Sequence, residues 1–415
     1  MGLLTGFVFA AIRYGLAMIP AVALRAPVKK IGAGGALLAG AAYLGLSGGN
    51  VATERAFIMV ATMLLAVLAD RRAITLRAVA LAALIVLTLR PETLLGPGFQ
   101  MSFSATIALV AVFGWMRDAD WSSSRWPWPV RVVSGVALSS AVAGFATAPI
   151  AAAHFNQIPH FGLLANILSV PVMGTIIMPA AVLAAVLWPV GLHWIGLKLM
   201  ERAINWILTV ADKVAHLPGA LSHVWSPSPA VLPLLVMGFL WLVLWQGRGR
   251  FAGLALVALS GFVWHATPRP ELLVNETGSL IGVMTAEGRH VSKSRGNSFA
   301  AMSWLENDGD PVAQAQAFER NGFETNERRH VIKLQDTTIF HATGKIAGAR
   351  AIADCAGADY VVLNIKTPQA EDTGCTIFGL ERLRRTGALA LFRQGGVLRL
   401  ETARARQGAR LWSSQ

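Results

Sequence analysis

The sequence predicts a polytopic α-helical membrane bundle followed by a soluble mixed α/β domain. Of its 415 residues, 54% are hydrophobic and only 14% are charged, whereas soluble domains carry roughly 25% charged residues. Residues 1–267 hold 17 Lys/Arg and 7 Asp/Glu, while residues 268–415 hold 19 and 16. This uneven composition excludes a single soluble domain, a disulfide scaffold and a disordered chain. We therefore predict a transmembrane domain over 1–267 and a soluble domain over 268–415.

Ten apolar stretches approach the length of about 20 residues that a helix needs to cross roughly 30 Å of hydrocarbon. The eighth stretch, 203–217, contains Asp212 and Lys213, so it also suits an amphipathic helix lying at the membrane interface. The first has neither a basic leader nor a signal-peptide cleavage site, which favours a spanning helix. We expect about ten spans, over 3–24, 31–47, 55–70, 74–90, 99–117, 131–153, 163–189, 203–217, 230–246 and 251–267.

Basic residues alternate between successive connections of these spans. The even-numbered connections are almost free of Lys and Arg, and residues 155–161 and 218–229 contain none. Because Lys and Arg concentrate in cytoplasmic loops, we expect residues 268–415 to face the periplasm or cell exterior. The basic, odd-numbered connections contain Arg25, Lys29, Lys30, Arg71, Arg72, Arg77, Arg117, Arg125, Arg131, Lys198, Arg202, Arg248 and Arg250.

Two features of the apolar sequence concern helix packing. Small residues at four-residue spacing, such as Ala36 and Gly40 or Ala41 and Gly45, predict close helix contacts. Residues 161–190 are interrupted by prolines and a glycine, which free backbone carbonyls at membrane depth. This stretch is either a broken helix that lines a transport path or an ordinary kinked helix. Its interruptions are Pro171, Gly174, Pro179 and Pro189.

Polar side chains inside spans are costly in hydrocarbon, so each is a functional candidate. Three stretches contain most of them: 50–59, 90–106 and 148–171. Glu54 with Arg55 also suits an ion pair at a helix end, with Arg55 reaching to the interface. Serine and threonine commonly bond their own helix, whereas an amide such as Gln100 needs another partner. The candidates are Glu54, Arg55, Gln100, Ser102, Ser104, Thr106, His154, Asn156, Gln157, His160 and Asn166.

These three stretches resemble the ComEC-type competence proteins, inner-membrane channels that admit single-stranded DNA during natural transformation. The matching segments are YLGLSGG followed by ERAFIM, then RPETLLGPGFQMSF, then HFNQIPHFGLLANILSVP. The resemblance covers residues 1–267 in this order. Family members usually carry a soluble domain and further spans before the point where Met1 stands. On that ground we expect a truncated chain or a start set too late.

The resemblance implies a multi-pass DNA channel in the plasma (inner) membrane. Its expected partners are single-stranded DNA, the lipid bilayer, other competence proteins and further copies of itself. The alternatives are a non-functional remnant of such a channel and a small-solute transporter. The DNA-path candidates are Arg55, Gln100, Ser102, His154, Asn156 and Asn166, and the broken-helix candidates are Pro171, Gly174 and Pro179.

The segment 268–415 alternates between strand-like and helical patterns, which predicts a mixed α/β fold. We expect a helix capped by Asp310 with Pro311 in its first position, and others near 345–355 and 376–386. The predicted strands are 271–275, 279–285, 330–334, 337–341, 359–365 and a pair over 388–400 that turns at Gly395 and Gly396.

Members of the resembled family often end in a domain similar to metallo-β-lactamases, whose two metal ions depend on an HxHxDH cluster. Residues 268–415 contain His290, His330 and His341, and none lies within two residues of another. We therefore assign no metal ligands and no cofactor, and expect a degenerate copy of that fold that is not a metallonuclease and is either structural or only binds DNA. A membrane-anchored hydrolase is the alternative, against which the missing cluster argues.

Two further signals lie in this domain. HVSKSRGNSF, residues 290–299, reads like the KMSKS loop of class I aminoacyl-tRNA synthetases, but no HIGH-type sequence precedes it. We interpret it as a basic hairpin turn, with Arg289, Lys293 and Arg295, that touches phosphates or only solvates the surface. Cys355 and Cys375 are the only cysteines of the chain. They can form one disulfide if the domain faces an oxidising compartment.

Overall fold

The computed structural model describes residues 1–119, 127–326, 329–367 and 374–408. Two compact units are present: Met1–Ser222 with Val236–Ala255, and His223–Leu235 with Leu256–Gln415. The first unit is mainly helical and the second contains the two five-stranded sheets of a mixed α/β domain, so the predicted fold class is confirmed. Arg125, in the fifth predicted connection, lies outside the described residues.

Each predicted span coincides with helical structure. Within the described residues, four helical stretches are long and apolar enough to cross a membrane: Val51–Leu68, Pro97–Asp118, Pro129–Phe155 and Gly162–Val190. The number of about ten spans stays a prediction. The helices are α1 (Gly2–Ala17), α2 (Pro20–Ala23), α3 (Val28–Leu46), α4 (Val51–Leu68), α5 (Leu76–Leu89), α6 (Pro97–Asp118), α7 (Trp128–Phe155), α8 (Gly162–Val172), α9 (Met178–Leu187), α10 (His193–Ala215), α11 (Val231–Leu244) and α12 (Ala252–His265).

Helix α3 packs closely against α1 and α4 through its small residues. Ala36 and Gly40 are buried, whereas Ala41 and Gly45 are exposed, so one of the two small-residue pairs forms the contact. A Cβ atom added to Gly40 would lie 3.1 Å from Cγ2 of Thr5. The missing side chain therefore permits the close approach that small residues allow between membrane helices.

The proline-rich stretch remains helical throughout. A π-helical turn, Met173–Ile177, joins α8 to α9, and such turns mark sites where the regular helix ladder is disturbed. Side chains bond the backbone carbonyls of this region: Trp206 Nε1 donates to the carbonyl of Leu168 (3.2 Å), and Thr175 Oγ1 donates to the carbonyl of Pro171 (2.8 Å). Of the two predicted alternatives, the geometry resembles a locally distorted helix more than two separate half-helices.

The second unit contains two five-stranded sheets among the described residues. After the short strands β1 (Gln157–Pro159) and β2 (Leu221–His223), the strands are β3 (Leu272–Val274), β4 (Ile281–Thr285), β5 (Gly288–Val291), β6 (Glu324–Asn326), β7 (Arg329–Leu334), β8 (Thr337–Ala342), β9 (Tyr360–Leu363), β10 (Thr376–Phe378), β11 (Leu389–Gln394) and β12 (Val397–Thr402). One sheet has the strand order β12-β11-β3-β4-β5 and is antiparallel; the other has the order β10-β9-β8-β7-β6 and is mixed.

These sheets pack face to face, with helices on their outer faces. The central core combines Leu272 and Ile281 of the first sheet with Ile332, Ile339 and Val362 of the second. Two further cores lie under the outer helices, so the unit has four layers. The helices are α13 (Ser298–Asn307), α14 (Gln314–Glu319), α15 (Lys345–Ala353), α16 (Leu380–Thr386) and α17 (Ala403–Gln407). A disulfide joins Cys355 to Cys375, with 5.7 Å between the Cα atoms.

Three local expectations for this unit are wrong. Asp310 does not cap a helix, because its carboxylate is bonded twice by Arg320, at 2.5 and 3.1 Å, and α14 begins only at Gln314. The predicted helix over 376–386 begins at Leu380, since residues 376–378 form a strand parallel to β9. Arg289 is fully buried, so it does not belong to a solvated basic turn.

Arg289 instead forms a buried ion pair that ties β5 to the end of α13. Its Nε and Nη2 donate to the two carboxylate oxygens of Asp308, at 2.5 and 3.0 Å. The same guanidinium donates to the carbonyls of Gly282 (3.2 Å) and Pro270 (3.0 Å). A buried charge is tolerated only when it is paired and hydrogen-bonded in this way.

The unit also includes the ends of α11 and α12 that adjoin the strands. Trp225 and Trp264 each donate their indole N–H to the other's backbone carbonyl, at 3.2 and 2.9 Å. Ser226 Oγ donates to Oδ1 of Asn307 at 2.8 Å. These bonds fasten the segment before α11 both to the end of α12 and to the α/β layers.

Three histidines that are far apart in sequence meet in the interior of this unit. His330 on β7 stands opposite His341 on β8, with ring centroids 5.4 Å apart, and the Phe323 ring lies between His290 and His330. His341 Nε2 donates to the carbonyl of Gly278 (2.9 Å). Burial lowers the pKa of His330 to about 4 and that of His341 to about 3, with smaller contributions from neighbouring positive charge including Lys293.

These histidines make the stability of the unit fall in acid. The unfolded chain binds more protons than the folded one below about pH 6.5, so each histidine removes about 1.4 kcal/mol per pH unit as the pH falls toward its folded pKa. In hydrogen exchange of the intact protein, corrected for intrinsic rates, peptides from 329–342 should lose protection between about pH 7.5 and about pH 5. His330→Phe should weaken this dependence, and protection that does not change with pH would contradict the expectation.

Candidate functional site

Polar side chains from four helices gather at one end of the first unit. Helix α4 packs against α5, α5 against α6 and α6 against α7, so the start of α4 and α6 and the end of α5 and α7 share one side. Each of these ends adjoins an even-numbered connection. The polar residues there are Glu54, Arg55, Arg90, Gln100 and His154, which we call the polar-end cluster.

Local sequence fixes where these helices begin. Oδ1 of Asn50 accepts a hydrogen bond from the backbone N–H of Thr53 (2.9 Å) and caps α4, as asparagine does well. Helix α6 starts with Pro97 after a 3-10 turn over Pro91–Leu95, and proline is favoured in the first helical turn. As a result, Glu54 and Arg55 lie in the first turn of α4, and Gln100 lies in the first turn of α6.

Gln100 and His154 form the hydrogen bond between helices in this cluster. His154 Nε2 donates to Oε1 of Gln100 at 2.9 Å, and Gln100 Nε2 donates to the carbonyl of Leu94 at 3.0 Å. The amide therefore links α6 both to α7 and to the turn before it. A bond of this kind explains how an amide and an imidazole are accommodated at the end of an apolar bundle.

Arg55 lies against the start of α6. A Cβ atom added to Gly98 would lie 3.0 Å from Arg55 Nη1 and 3.3 Å from Nη2, so the glycine leaves the space that the guanidinium occupies. The amino end of a helix carries partial positive charge, and the guanidinium adds a full one. Together they make this position attractive to an anion.

The expected ion pair within α4 is replaced by a pair between helices. Glu54 lies 3.5 Å from Nη2 of Arg90, at the end of α5, because adjacent residues on a helix point in different directions. Arg55 is thus left beside the pair rather than in it. A cleft runs between these groups, lined by Val51, Glu54, Arg55, Ile58, Val86, Leu89, Arg90 and Thr93.

Other candidates lie apart from the polar-end cluster. Ser104 and Thr106 donate to carbonyls of their own helix, at 3.1 and 2.8 Å, which is the ordinary role of these residues. Ser102 is half-buried on α6, and Asn166 is exposed on α8. The structure brings Arg55, Gln100 and His154 to one end but does not add Ser102 or Asn166 to their hydrogen bonds.

Asn156 has a structural role at the end of α7. Its backbone is left-handed, with φ 57° and ψ 22°, and its N–H bonds the carbonyl of Ala152. Asparagine and glycine are the residues that adopt this conformation most readily at helix ends. The sequence signal was an asparagine directly after a helical stretch, although the residue was singled out as a polar group in the membrane.

One contact at this end was missed from the sequence. His160 Nε2 lies 2.6 Å from Oγ of Ser222, where β1 (Gln157–Pro159) pairs with β2 (Leu221–His223). This pairing joins the sixth and eighth connections. Sequence patterns did not find it, because three-residue strands carry almost no periodic signal.

The described donor groups of the second unit do not converge on a shared metal position. Within the described residues, no three His, Cys, Asp or Glu side chains are grouped as metal ligands. The three histidines are near one another, but Phe323 separates His290 from His330 and the carbonyl of Gly278 occupies Nε2 of His341. They form a stacked core cluster rather than a convergent ligand set.

Two known proteins or families are similar to this chain. A family model described as "Competence protein" matches residues 1–249. The chain is also similar to ComE operon protein 3 of Bacillus subtilis (strain 168), with 24% identity over 204 residues. That match covers 49% of this chain and 25% of the relative. No solved structure matches.

The left-handed backbone at Asn156 allows its role in capping α7 to be tested by two substitutions. Asn156→Gly should preserve the fold, whereas Asn156→Val should destabilise it by about 1–2 kcal/mol or more, because a β-branched residue is strained at positive φ. The measurement is the fraction of detergent-solubilised protein that stays monodisperse after heating. Equal thermal stability of the two variants would show that the cap contributes little.

Proposed function

This chain belongs to the competence protein family, and from that premise we propose that it conducts a single DNA strand across the plasma (inner) membrane during natural transformation. The observation that carries the proposal is the polar-end cluster, in which Arg55, Gln100 and His154 from three helices meet at one end of an apolar bundle. Polar groups in such a place are costly and are a mark of function.

The chemistry of the cluster suits a polyanion that also carries hydrogen-bonding bases. Arg55 offers a guanidinium, which binds phosphate oxygens in a planar, bidentate way. Its place beside the amino end of α6 strengthens that preference. Gln100 and His154 supply neutral donors and acceptors, which serve any base without selecting a sequence. Proteins that bind single strands without sequence preference combine the same two kinds of contact.

The proposed path continues beside the distorted helix. We assign Ser102, Asn156 and Asn166 to its walls together with the region of Pro171, Gly174 and Pro179. Support comes from the π turn between α8 and α9, since irregular helix geometry is tolerated at membrane depth where protein or a watery cavity satisfies the backbone.

The proposal places residues 268–415 outside the membrane, in the periplasm or cell exterior. The alternation of Lys and Arg supports this side. The disulfide between Cys355 and Cys375 supports it too, because such bonds persist in oxidising compartments. The domain is proposed to be a degenerate metallo-β-lactamase-like fold, for which two packed sheets covered by helices on both faces are the support.

If the polar-end cluster handles the strand, its variants should lose DNA uptake while the protein still inserts. Arg55→Gln removes a charge-assisted contact of about 1.5–3 kcal/mol, which corresponds to a loss of roughly tenfold or more in transformation frequency if that contact limits entry. Gln100→Leu and His154→Leu should each have a comparable effect, because either breaks the link between α6 and α7.

The matched control is Thr106→Val. This residue is polar and lies on the same helix as Gln100, but it bonds its own backbone. Its removal should leave uptake unchanged. Membrane-fraction immunoblots must show equal amounts of all variants. Wild-type transformation by Arg55→Gln, Gln100→Leu and His154→Leu would refute the assignment.

The proposed sidedness can be tested with the two cysteines. In intact cells, a thiol reagent that does not cross the inner membrane should label Cys355 and Cys375 only after a reductant is added. Reporter fusions at Gln415 should show periplasmic phosphatase activity and no cytoplasmic fluorescence. Labelling that is equal with and without reductant would exclude the disulfide. A fluorescent and phosphatase-silent fusion would place the domain on the inner side.

A further inference from the structure

An unusual surface lies at the start of α13, on the α/β unit. Phe299 is 90% exposed and Met302, on the same face of the helix, is 54% exposed. Among the described residues, Phe299 is the most exposed large apolar side chain of this unit. The preceding residues include Lys293 and Arg295, and no acidic residue occurs between 288 and 305. We call Lys293, Arg295, Phe299 and Met302 the basic–aromatic platform.

The loop that carries the basic residues is held in one shape. The buried side chain of Gln314 donates both amide hydrogens to this loop, to the carbonyls of Lys293 (3.0 Å) and Gly296 (2.9 Å). Asn275 Nδ2 donates to Oδ1 of Asn297 at 3.3 Å. Gly296 and Asn297 are both left-handed, with φ of 83° and 53°, so the chain reverses sharply before the helix. The platform is therefore preorganised rather than a loose surface turn.

We infer that this platform binds single-stranded DNA: a base stacks on the ring of Phe299 while Lys293 and Arg295 contact the adjoining phosphates. The inference rests on the proposed function for its ligand, and it adds a strand-docking site outside the membrane helices. Charge complementarity selects a polyanion as the occupant. Lys293 and Arg295 precede Phe299 by six and four residues, so one short segment carries the aromatic and cationic groups that single-strand-binding proteins combine.

An anionic membrane surface is the competing occupant of the platform. DNA and lipid place different requirements on the side chain at position 299. Insertion into lipid depends on apolar area, which leucine provides almost as well as phenylalanine. Stacking of a base needs a planar π face, which leucine lacks and tryptophan retains. Phe299→Leu and Phe299→Trp therefore form a diagnostic pair, and the high exposure of Phe299 means that neither change disturbs the core.

The binding test uses the full chain in nanodiscs of phosphatidylcholine and a fluorescent oligothymidylate of about 15 nucleotides, close to the upper site size of a single-strand-binding module. Phe299→Leu should weaken binding about 5- to 100-fold, and Phe299→Trp should retain it. Lys293→Ala with Arg295→Ala should lower the slope of log affinity against log salt by about 1.4, since each single-strand phosphate contact contributes about 0.7. The matched control is Ile346→Ala, because Ile346 is 75% exposed elsewhere on the unit.

Contact at the site itself is read by crosslinking. A strand containing 5-iodouracil should photo-crosslink to the peptide that includes Phe299, and competing unlabelled oligothymidylate should remove the product. Equal affinity of the wild type and Phe299→Leu, or no crosslink in residues 290–302, would overturn the inference. A third result would also overturn it. In this result, phosphatidylserine added to the nanodiscs abolishes strand binding, and Phe299→Leu associates with the lipid as well as the wild type does.

The binding measurements are repeated with Arg55→Gln, so that the two proposals fail separately. If Phe299→Leu has no effect on binding but Arg55→Gln abolishes uptake, the platform is wrong and the channel stands. If the platform binds and crosslinks the strand but cells with Arg55→Gln transform as often as wild-type cells, the docking site stands and the proposed path is wrong.

Discussion

The helical unit depends on one constraint: hydrocarbon offers no hydrogen-bond partner, so every polar group at membrane depth must find one within the protein. The described contacts follow from it. His154 donates to Gln100, and Gln100 donates to a backbone carbonyl of the preceding turn. Trp206 bonds a carbonyl beside the distorted helix. In the described part of the chain Arg55 lies against the start of α6, whereas its neighbour Glu54 pairs with Arg90, and the proposed function centres on Arg55 for this reason.

The α/β unit is organised by polar contacts of a different kind. Arg289 and Asp308 form a pair removed from solvent, and the four hydrogen bonds of the guanidinium offset the cost of its desolvation. Because these bonds reach β4, the segment before β3 and the end of α13, one side chain sets the position of several elements. Ser226 bonds Asn307, the residue before Asp308, and the reciprocal bonds of Trp225 and Trp264 join the segment before α11 to the end of α12.

Both proposed DNA contacts combine fixed cations with neutral or aromatic neighbours. In the polar-end cluster the Arg55 guanidinium packs on Gly98, where an added Cβ atom would lie 3.0 Å from its Nη1. In the basic–aromatic platform the loop shape depends on the buried amide of Gln314. Arg55 and the basic loop would touch the strand, whereas Gly98 and Gln314, which adjoin them, would not. Substitution of the positioning residue should therefore alter binding without removing a contact group, which separates geometry from charge.

The sequence by itself determined the membrane character, the approximate positions of most helices in residues 1–267 and most strands, because apolar length and periodic patterning reflect local physics. It also resembled the competence family closely enough to select Arg55, Gln100 and His154. Only the tertiary structure decided which polar groups meet: Glu54 pairs with Arg90 rather than Arg55, Asp310 pairs with Arg320 instead of capping a helix, and Arg289 is buried. These outcomes depend on residues that are 10 to 36 positions apart in sequence, and partners at such separations are chosen by packing, which no local pattern records.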